Sequence, residues 1–146
     1  MPERKAHAVW EGDLPHGKGQ MSLGSGACEG AFSFQTRMGE TPGANPEELV
    51  GAALAGCFSM ALAHGLTQAA EAPEQIRTDA RVHFERRDGG WSITRIDLKT
   101  EAAVAGIDEA AFRAIAEETK QNCPVSKALT GTEIRLEAHL LSRAAR

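Results

Sequence analysis

The side chains best suited to covalent chemistry in this sequence are two cysteines, Cys57 and Cys123. Cys57 lies in a stretch without Asp, Glu, Lys or Arg, residues 49–66, whose only basic side chain is His64. A reactive thiolate needs a cationic or hydrogen-bonding neighbour that lowers its pKa. Cys57 is therefore either a small hydrophobic residue of a packed core or a nucleophile whose activating group comes from elsewhere.

Cys123 immediately precedes Pro124, a residue type that favours the first position of a helix. A cysteine in that place can occupy the N-cap, where backbone N–H groups stabilise a thiolate. The alternative is a cysteine buried at the end of a helix, because Cys123 continues an apolar stripe formed by Phe112, Ile115, Ala116 and Thr119. Cys28, in a glycine-rich segment, is interpreted as structural.

Three other side chains are candidates for supporting roles. Glu47 suits the positive end of a helix dipole but has no partner nearby in sequence. Arg37 ends a predicted strand before a loop, where most arginines are solvated. His64 follows Cys57 by two helical turns, about 10 Å along the axis, which is too far for a cysteine–histidine nucleophile pair.

A long helix that carries Cys57 is predicted from the N-cap Asn45 to about residue 70. Pro46 suits its first position, and Asn45 and Glu48 have the spacing of a capping box. The helix should end before Pro73. Its richness in Ala and Gly favours a buried core helix over a bilayer span.

The remaining elements are predicted from alternation and turn residues. A second helix should begin at the N-cap Asp108 and end at Pro124, with another helical turn at residues 125–129. A turn falls at residues 88–90, followed by a bulge where the alternation slips between Ile93 and Ile96. Strands are predicted at residues 5–10, 31–37, 76–85, 91–102 and 133–141. The order indicates an α+β fold, with a long buried helix against antiparallel sheet.

Composition limits the possible partners and compartment. The chain has 146 residues and a formal net charge of -4, and no basic run interleaves with aromatic residues, so no nucleic-acid partner is expected. Three cysteines are too few for a disulfide scaffold, and none has zinc-ligand spacing. The polar start lacks a secretory pattern. We expect a single cytoplasmic domain, residues 1–146, with no metal, cofactor or membrane partner.

Four segments of the sequence form a recognisable pattern: residues 36–40 (TRMGE), 43–49 (GANPEEL), 55–62 (AGCFSMAL) and 122–129 (NCPVSKAL). Together they resemble the OsmC branch of the OsmC/Ohr family of thiol peroxidases. They match in order and spacing over nearly the whole chain, and the Asn-Pro-Glu segment combined with the Cys-Pro segment is highly specific.

The resemblance implies a role for each of four residues. Cys57 matches the peroxidatic cysteine, Cys123 the resolving cysteine, Arg37 the arginine that stabilises the thiolate, and Glu47 the glutamate that holds this arginine. Cys28 has no role in the pattern. The implied reaction reduces organic hydroperoxides to alcohols through a sulfenic acid and a disulfide, in defence against peroxide stress.

The resemblance also implies an OsmC-like fold with antiparallel sheets around a long buried helix, an intertwined homodimer, and a dithiol reductant of the lipoyl type. Helix geometry agrees with the dimer, because Glu47 and Cys57 on one straight helix are separated by about 15 Å. Two such helices crossing antiparallel near Ala52 would bring Glu47 of one chain close to Cys57 of the other. In the alternative, the small residues around Ala52 pack against the chain's own sheet.

Two other functions remain open from the residues alone. A cysteine hydrolase or acyl transferase would need a base within reach of Cys57, and none is visible in the sequence. A non-catalytic stress-related binding protein would use both cysteines only for packing. For the peroxidase, the apolar surround expected from Phe58 and Met60 suits alkyl hydroperoxides.

Overall fold

The computed structural model describes residues 2–141, which divide into two compact units between Leu49 and Val50. The boundary between the units falls inside a continuous helix. The single domain expected from sequence stays a prediction. Its ends, Met1 and residues 142–146, lie outside the described residues.

The first unit contains a three-stranded antiparallel sheet in the order β1-β2-β3. Its strands are β1 (Ala6–Glu11), β2 (Lys18–Leu23) and β3 (Glu29–Phe32). The rings of Trp10 and Phe32 lie 5.4 Å apart on one face of this sheet. Gly19 lies beside both rings, and a Cβ at this position would come within 2.5 Å of Phe32. The absence of a side chain at Gly19 therefore permits the aromatic pair.

The strand predicted at residues 31–37 is wrong beyond Phe32, because the chain turns there into helix α1 (Phe34–Met38). Ser33 is the N-cap of this helix, and its hydroxyl accepts a hydrogen bond from the N–H of Thr36 at 3.2 Å. The hydroxyl of Thr36 accepts one in return from the N–H of Ser33 at 2.8 Å. This reciprocal capping box outweighs the alternating pattern of Phe32 and Phe34.

Helix α2 (Pro46–Ala69) confirms the predicted long helix. Its start is fixed by Asn45, whose side-chain oxygen accepts a hydrogen bond from the N–H of Glu48 at 2.8 Å. One stripe of α2 is fully buried, at Leu54, Phe58, Leu62 and Leu66. This stripe recurs at every fourth residue, as one helix face requires.

The other face of α2 is exposed, which corrects the expectation of a buried helix. Ala52, Ala53 and Gly56 are exposed, and Met60 retains 77% of its surface. Length and composition would allow α2 to cross a membrane, and only 28% of its apolar window is buried in the chain. The apolar character of α2 is thus only partly explained by packing within one chain.

The second unit contains a sheet in the order β4-β5-β6. Strands β4 (Gln75–Arg87) and β5 (Gly90–Ala103) form an antiparallel hairpin. Its turn uses left-handed backbone at Asp88 (φ 52) and Gly89 (φ 80). Pairing shifts between His83 and Phe84, which face Arg95 and Ile93. Thr94 is therefore the extra residue, and the predicted bulge is confirmed.

Strand β6 (Glu133–Leu141) runs parallel to β5, so the expectation of a purely antiparallel sheet is wrong for this pair. The chain between them forms helices α3 (Glu109–Asn122) and α4 (Pro124–Ala128), and this crossover returns the chain to the starting end of β5. Asp108 caps α3 as predicted, because its carboxylate accepts a hydrogen bond from the N–H of Ala111 at 2.8 Å.

A chain of hydroxyl groups fixes α2 on the second sheet. The Ser59 hydroxyl donates to Thr78 at 2.7 Å, and Thr78 lies 2.9 Å from the fully buried hydroxyl of Thr100. Around these hydroxyl groups, the core combines the buried stripe of α2 with apolar residues of β5 and α3 and with Val104 and Cys123. Its largest members outside α2 are Ile96, Leu98 and Phe112. Packing and hydroxyl contacts together set the position of Cys57, which precedes Ser59 by two residues on α2.

Candidate active site

Cys123 ends α3 and is also the N-cap of α4, so the two positions that the sequence left open for it are both occupied. Its N–H donates to the carbonyl of Thr119 at 2.9 Å, which continues the hydrogen-bond pattern of α3. Its sulfur lies 3.4 Å from the N–H of Ser126 and 3.3 Å from the Ser126 hydroxyl. With 1% of its surface exposed, Cys123 is surrounded by protein and makes two hydrogen bonds to one residue, Ser126.

Cys57 reaches the same place from α2. It is half-buried and packs against the core that contains Cys123. Its thiol lies close enough to the Cys123 sulfur for each thiol to shift the pKa of the other, and the backbone N–H of Val125 lowers the pKa of both. The structure thus brings together two free cysteines from distant parts of the sequence, beside the first turn of α4.

The environment affects the two thiols in opposite directions. Burial alone raises the pKa of Cys123, but hydrogen bonds from the hydroxyl and N–H of Ser126, from Cys57 and from Val125 outweigh it and lower that pKa below its usual value. Burial raises the pKa of Cys57, and the N–H of Val125 offsets this only in part. The surroundings of Cys57 within the chain therefore do not activate it as a thiolate.

Arg37 and Glu47 form a second pair, which lies in the first unit. The guanidinium of Arg37, from α1, donates to one Glu47 carboxylate oxygen through Nη2 at 2.6 Å and through Nε at 3.0 Å. Glu47 lies in the first turn of α2 and keeps only 7% of its surface exposed. The contact between Arg37 and Glu47 that the family resemblance implied is therefore present in this chain. Local sequence gave Glu47 no partner, because Arg37 reaches it only through the helical turn that the capping box of Ser33 and Thr36 begins.

A cavity of about 430 Å³ separates the C-terminal halves of α2 and α3 and reaches Cys123. His64 and Glu118 line this cavity beside apolar residues such as Ala61 and Ile115. His64 is exposed there. In the part of the chain that the structure describes, no hydrogen bond joins His64 to Cys57 or Cys123.

Two smaller expectations are changed by the structure. Cys28 is exposed rather than packed as a structural residue, and it lines an apolar cavity of about 530 Å³ in the first unit. Phe58 is fully buried in the core, so Met60 alone of the two expected apolar residues faces outward. Within residues 2–141, no group of three or more His, Cys, Asp or Glu side chains could hold a metal ion.

The fold and the site define an α+β protein with a paired-thiol centre between a long helix and the first turn of a short one. The family model described as OsmC-like protein matches residues 39–138. The chain therefore belongs to the OsmC-like protein family, as the resemblance predicted. Arg37 lies just outside the matched range.

Two relatives extend this result. Peroxiredoxin OsmC of Escherichia coli is 46% identical over 140 residues, which cover 95% of this chain and 97% of the relative. The organic hydroperoxide resistance protein of Xanthomonas axonopodis is 31% identical over 90 residues, 61% of either chain.

Solved structures support the fold independently. The organic hydroperoxide resistance protein OhrB of Bacillus subtilis superposes with a TM-score of 0.68 at 23% identity, over 92% of this chain and 97% of that one. An organic hydroperoxide resistance protein of Legionella pneumophila gives the same TM-score at 20% identity, over 94% and 97%. At these identities the similarity establishes the architecture, and the predicted OsmC-like α+β class is confirmed.

Proposed function

We propose that this chain is a thiol-dependent peroxidase that reduces organic hydroperoxides to alcohols in oxidative-stress defence. Membership in the family and the names of its relatives, a peroxiredoxin and an organic hydroperoxide resistance protein, support a peroxidase. The observation that carries the proposal is the contact between Cys57 and Cys123. Two thiols in contact can pass from the reduced state to a disulfide with little rearrangement.

The proposed reaction uses the two thiols in sequence. The thiolate of Cys57 attacks the distal oxygen of the hydroperoxide, the O–O bond breaks, and the alcohol leaves after taking up a proton. Cys57 is then a sulfenic acid. The thiol of Cys123 attacks that sulfur, water leaves, and a disulfide forms. The peroxide gains two electrons, and the two cysteines lose them.

The proposal assigns Arg37 and Glu47 to the activation of Cys57. Burial raises the pKa of Cys57, so a cation is required to make its thiolate abundant at neutral pH. Glu47 holds the guanidinium of Arg37 through two donors, which fixes its orientation. A guanidinium so held can stabilise both the thiolate and the charge on the departing oxygen.

We further propose that this cation comes from a second copy of the chain. Glu47 and Cys57 are about 15 Å apart along the axis of α2, so Glu47 cannot place Arg37 beside Cys57 of its own helix by local contact. The exposed small residues of α2, Ala52, Ala53 and Gly56, would allow a second helix to approach closely. Gly51, in contrast, packs on the chain's own sheet, where an added Cβ would lie 3.1 Å from Val82.

Exposed apolar surface on α2 supports this assembly. The apolar window is only 28% buried, and Met60 is 77% exposed. Burying such a surface is favourable at roughly 25 cal/mol per Å² of apolar area. A second α2 helix lying antiparallel on this exposed face would cover the apolar surface and would make two equivalent sites.

Gly56→Trp is expected to abolish the dimer. An added Cβ at Gly56 has no neighbour within 4 Å in the chain, so the indole should be tolerated by the monomer and should obstruct only a partner helix. Sedimentation equilibrium at micromolar concentration measures the result. Ala114→Trp, on the exposed side of α3, is the matched control and should remain dimeric. A monomeric parent protein with full activity would refute the shared site.

Thiol titration tests the peroxidase itself. One equivalent of cumene hydroperoxide should remove two of the three thiols of the reduced protein. The control is Cys28→Ser, which removes the exposed third thiol and should leave none to titrate. No loss of thiols would favour a binding protein, and the loss of a single thiol would exclude the Cys57–Cys123 disulfide.

The proposed reductant is a dithiol, and a lipoyl-type group is the candidate that the family resemblance implies. A dithiol can open a protein disulfide and then release itself by a second, intramolecular exchange. Steady-state rates with glutathione as the sole reductant should be far lower than with dihydrolipoamide. Comparable rates would contradict this assignment.

A further inference from the structure

Ser126 makes two hydrogen bonds to the Cys123 sulfur. The peroxidase steps described above do not use this residue. Its N–H and its hydroxyl lie 3.4 Å and 3.3 Å from the sulfur. Only 6% of Ser126 is exposed. Hydrogen bonds to a charged acceptor are stronger than those to a neutral one, and a buried setting strengthens them further. Ser126 thus favours negative charge on the Cys123 sulfur.

Negative charge on that sulfur develops when the disulfide is reduced. A disulfide opens when a thiolate attacks one sulfur and expels the other, and the sulfur whose thiol has the lower pKa leaves faster. In this chain the hydrogen bonds from Ser126 help to lower the pKa of Cys123, whereas burial raises the pKa of Cys57. Accessibility acts in the same direction, because Cys57 is half-buried and Cys123 is only 1% exposed.

We propose that Ser126 is a positioning residue for reduction of the enzyme: it holds Cys123 as the departing thiolate, so that the reductant attacks the sulfur of Cys57. The inference rests on the proposed Cys57–Cys123 disulfide. In the first exchange the reductant thiolate bonds to the Cys57 sulfur and the Cys123 thiolate leaves. In the second, the other thiol of the reductant attacks its own bound sulfur and releases Cys57. The dithiol is oxidised to a disulfide, and both cysteines are reduced.

The site of attack can be mapped without altering Ser126. Diamide forms the disulfide in Cys28→Ser protein, so the test does not depend on peroxidase activity. Excess cysteamine, a monothiol, is then added, and the mixture is quenched in acid and treated with N-ethylmaleimide. Peptide mass spectrometry should find cysteamine on Cys57 and N-ethylmaleimide on Cys123. Cysteamine on Cys123 would overturn this inference alone, whereas failure of diamide to join the two cysteines would overturn the proposed function as well.

Ser126→Ala tests the role of the hydroxyl. Reduction of the diamide-formed disulfide by dithiothreitol should slow about 5- to 10-fold, because the departing thiolate loses one of its donors. Ser126→Thr keeps the hydroxyl and should restore most of the rate. Since Ser126 contacts Cys123, its replacement should lower the rate of disulfide reduction. The rate at which cumene hydroperoxide oxidises Cys57 should not change. An equal fall in both rates would indicate a structural effect and overturn the proposal.

A titration provides a readout that simple loss of packing would not produce. In Cys28→Ser/Cys57→Ser protein, Cys123 is the only cysteine left, so ultraviolet absorbance of the thiolate reports this residue alone. Adding Ser126→Ala should move the midpoint to higher pH by about one unit, a tenfold change in thiolate at a fixed pH below it. An unchanged midpoint in a folded protein would overturn the proposal.

Discussion

Cys57→Ser is expected to abolish peroxidase turnover, because the serine hydroxyl is not a nucleophile comparable to a thiolate toward peroxide oxygen. Cys123→Ser should behave differently. It retains the attacking thiol, so it should consume about one equivalent of hydroperoxide per site and then stall, since no second thiol resolves the sulfenic acid. Stopped-flow oxidation and steady-state turnover with dihydrolipoamide distinguish the two variants.

The structure sharpens this prediction. Cys123 has the lower thiol pKa in the single chain, so the chain alone would favour Cys123 as the more abundant thiolate. If Cys123→Ser failed to react and Cys57→Ser consumed one equivalent, the roles of the two cysteines would be exchanged. Equal residual turnover in both variants would contradict a two-cysteine mechanism. Cys28→Ser is the control and should keep full activity.

Mixed dimers are expected to be more active than either parent variant. Glu47→Ala should lose most activity, about 10-fold or more, because Arg37 loses the carboxylate that orients it. Cys57→Ser should have none. In a dimer of one chain of each kind, the intact Cys57 of the first chain would face the intact Glu47 of the second. Co-expression with two different affinity tags gives this heterodimer, which should show about half the wild-type activity per dimer.

A second heterodimer serves as the matched control. Cys57 and Cys123 contact each other within one chain, so a dimer of Cys57→Ser with Cys123→Ser contains no complete cysteine pair and should not recover turnover. Recovery there would mean that the disulfide forms between chains. Failure of the Glu47→Ala/Cys57→Ser pair to recover would place Arg37, Glu47 and Cys57 of each site in the same chain.

Local sequence determined the elements that carry the site. Asn45 and Pro46 fixed the start of α2, and Asp108 fixed that of α3, because a capping side chain reaches only the next few N–H groups. For Cys123 the sequence left two positions open, an N-cap indicated by Pro124 and a buried helix end indicated by the apolar stripe of α3, and the residue occupies both. The alternation of apolar and polar residues predicted β6. A slip in the alternation of β5 located the bulge near Thr94. Each of these signals depends only on residues that are close to one another in the sequence.

Competing local signals caused the error in the first unit. Phe32 and Phe34 alternate as a strand would, yet Ser33 and Thr36 form a reciprocal cap that begins α1. The sequence pattern alone did not decide between the strand and the helix, because the alternation and the capping box each extend over only a few residues. The outcome affects the site, since the helical turn carries Arg37 into contact with Glu47.

Tertiary structure decided what local patterns do not contain. Alternation in β6 is the same whether its neighbour runs parallel or antiparallel, and the direction followed from the crossover through α3 and α4. The contact of Cys57 with Cys123, and the N–H of Val125 shared between them, depend on how α2 packs against α4. The sequence by itself determined which residues can form helices, caps and strands, and through family resemblance it determined the four candidate site residues. Which of them touch was set by packing between distant segments, because side-chain contacts of this kind leave no periodic pattern in the chain.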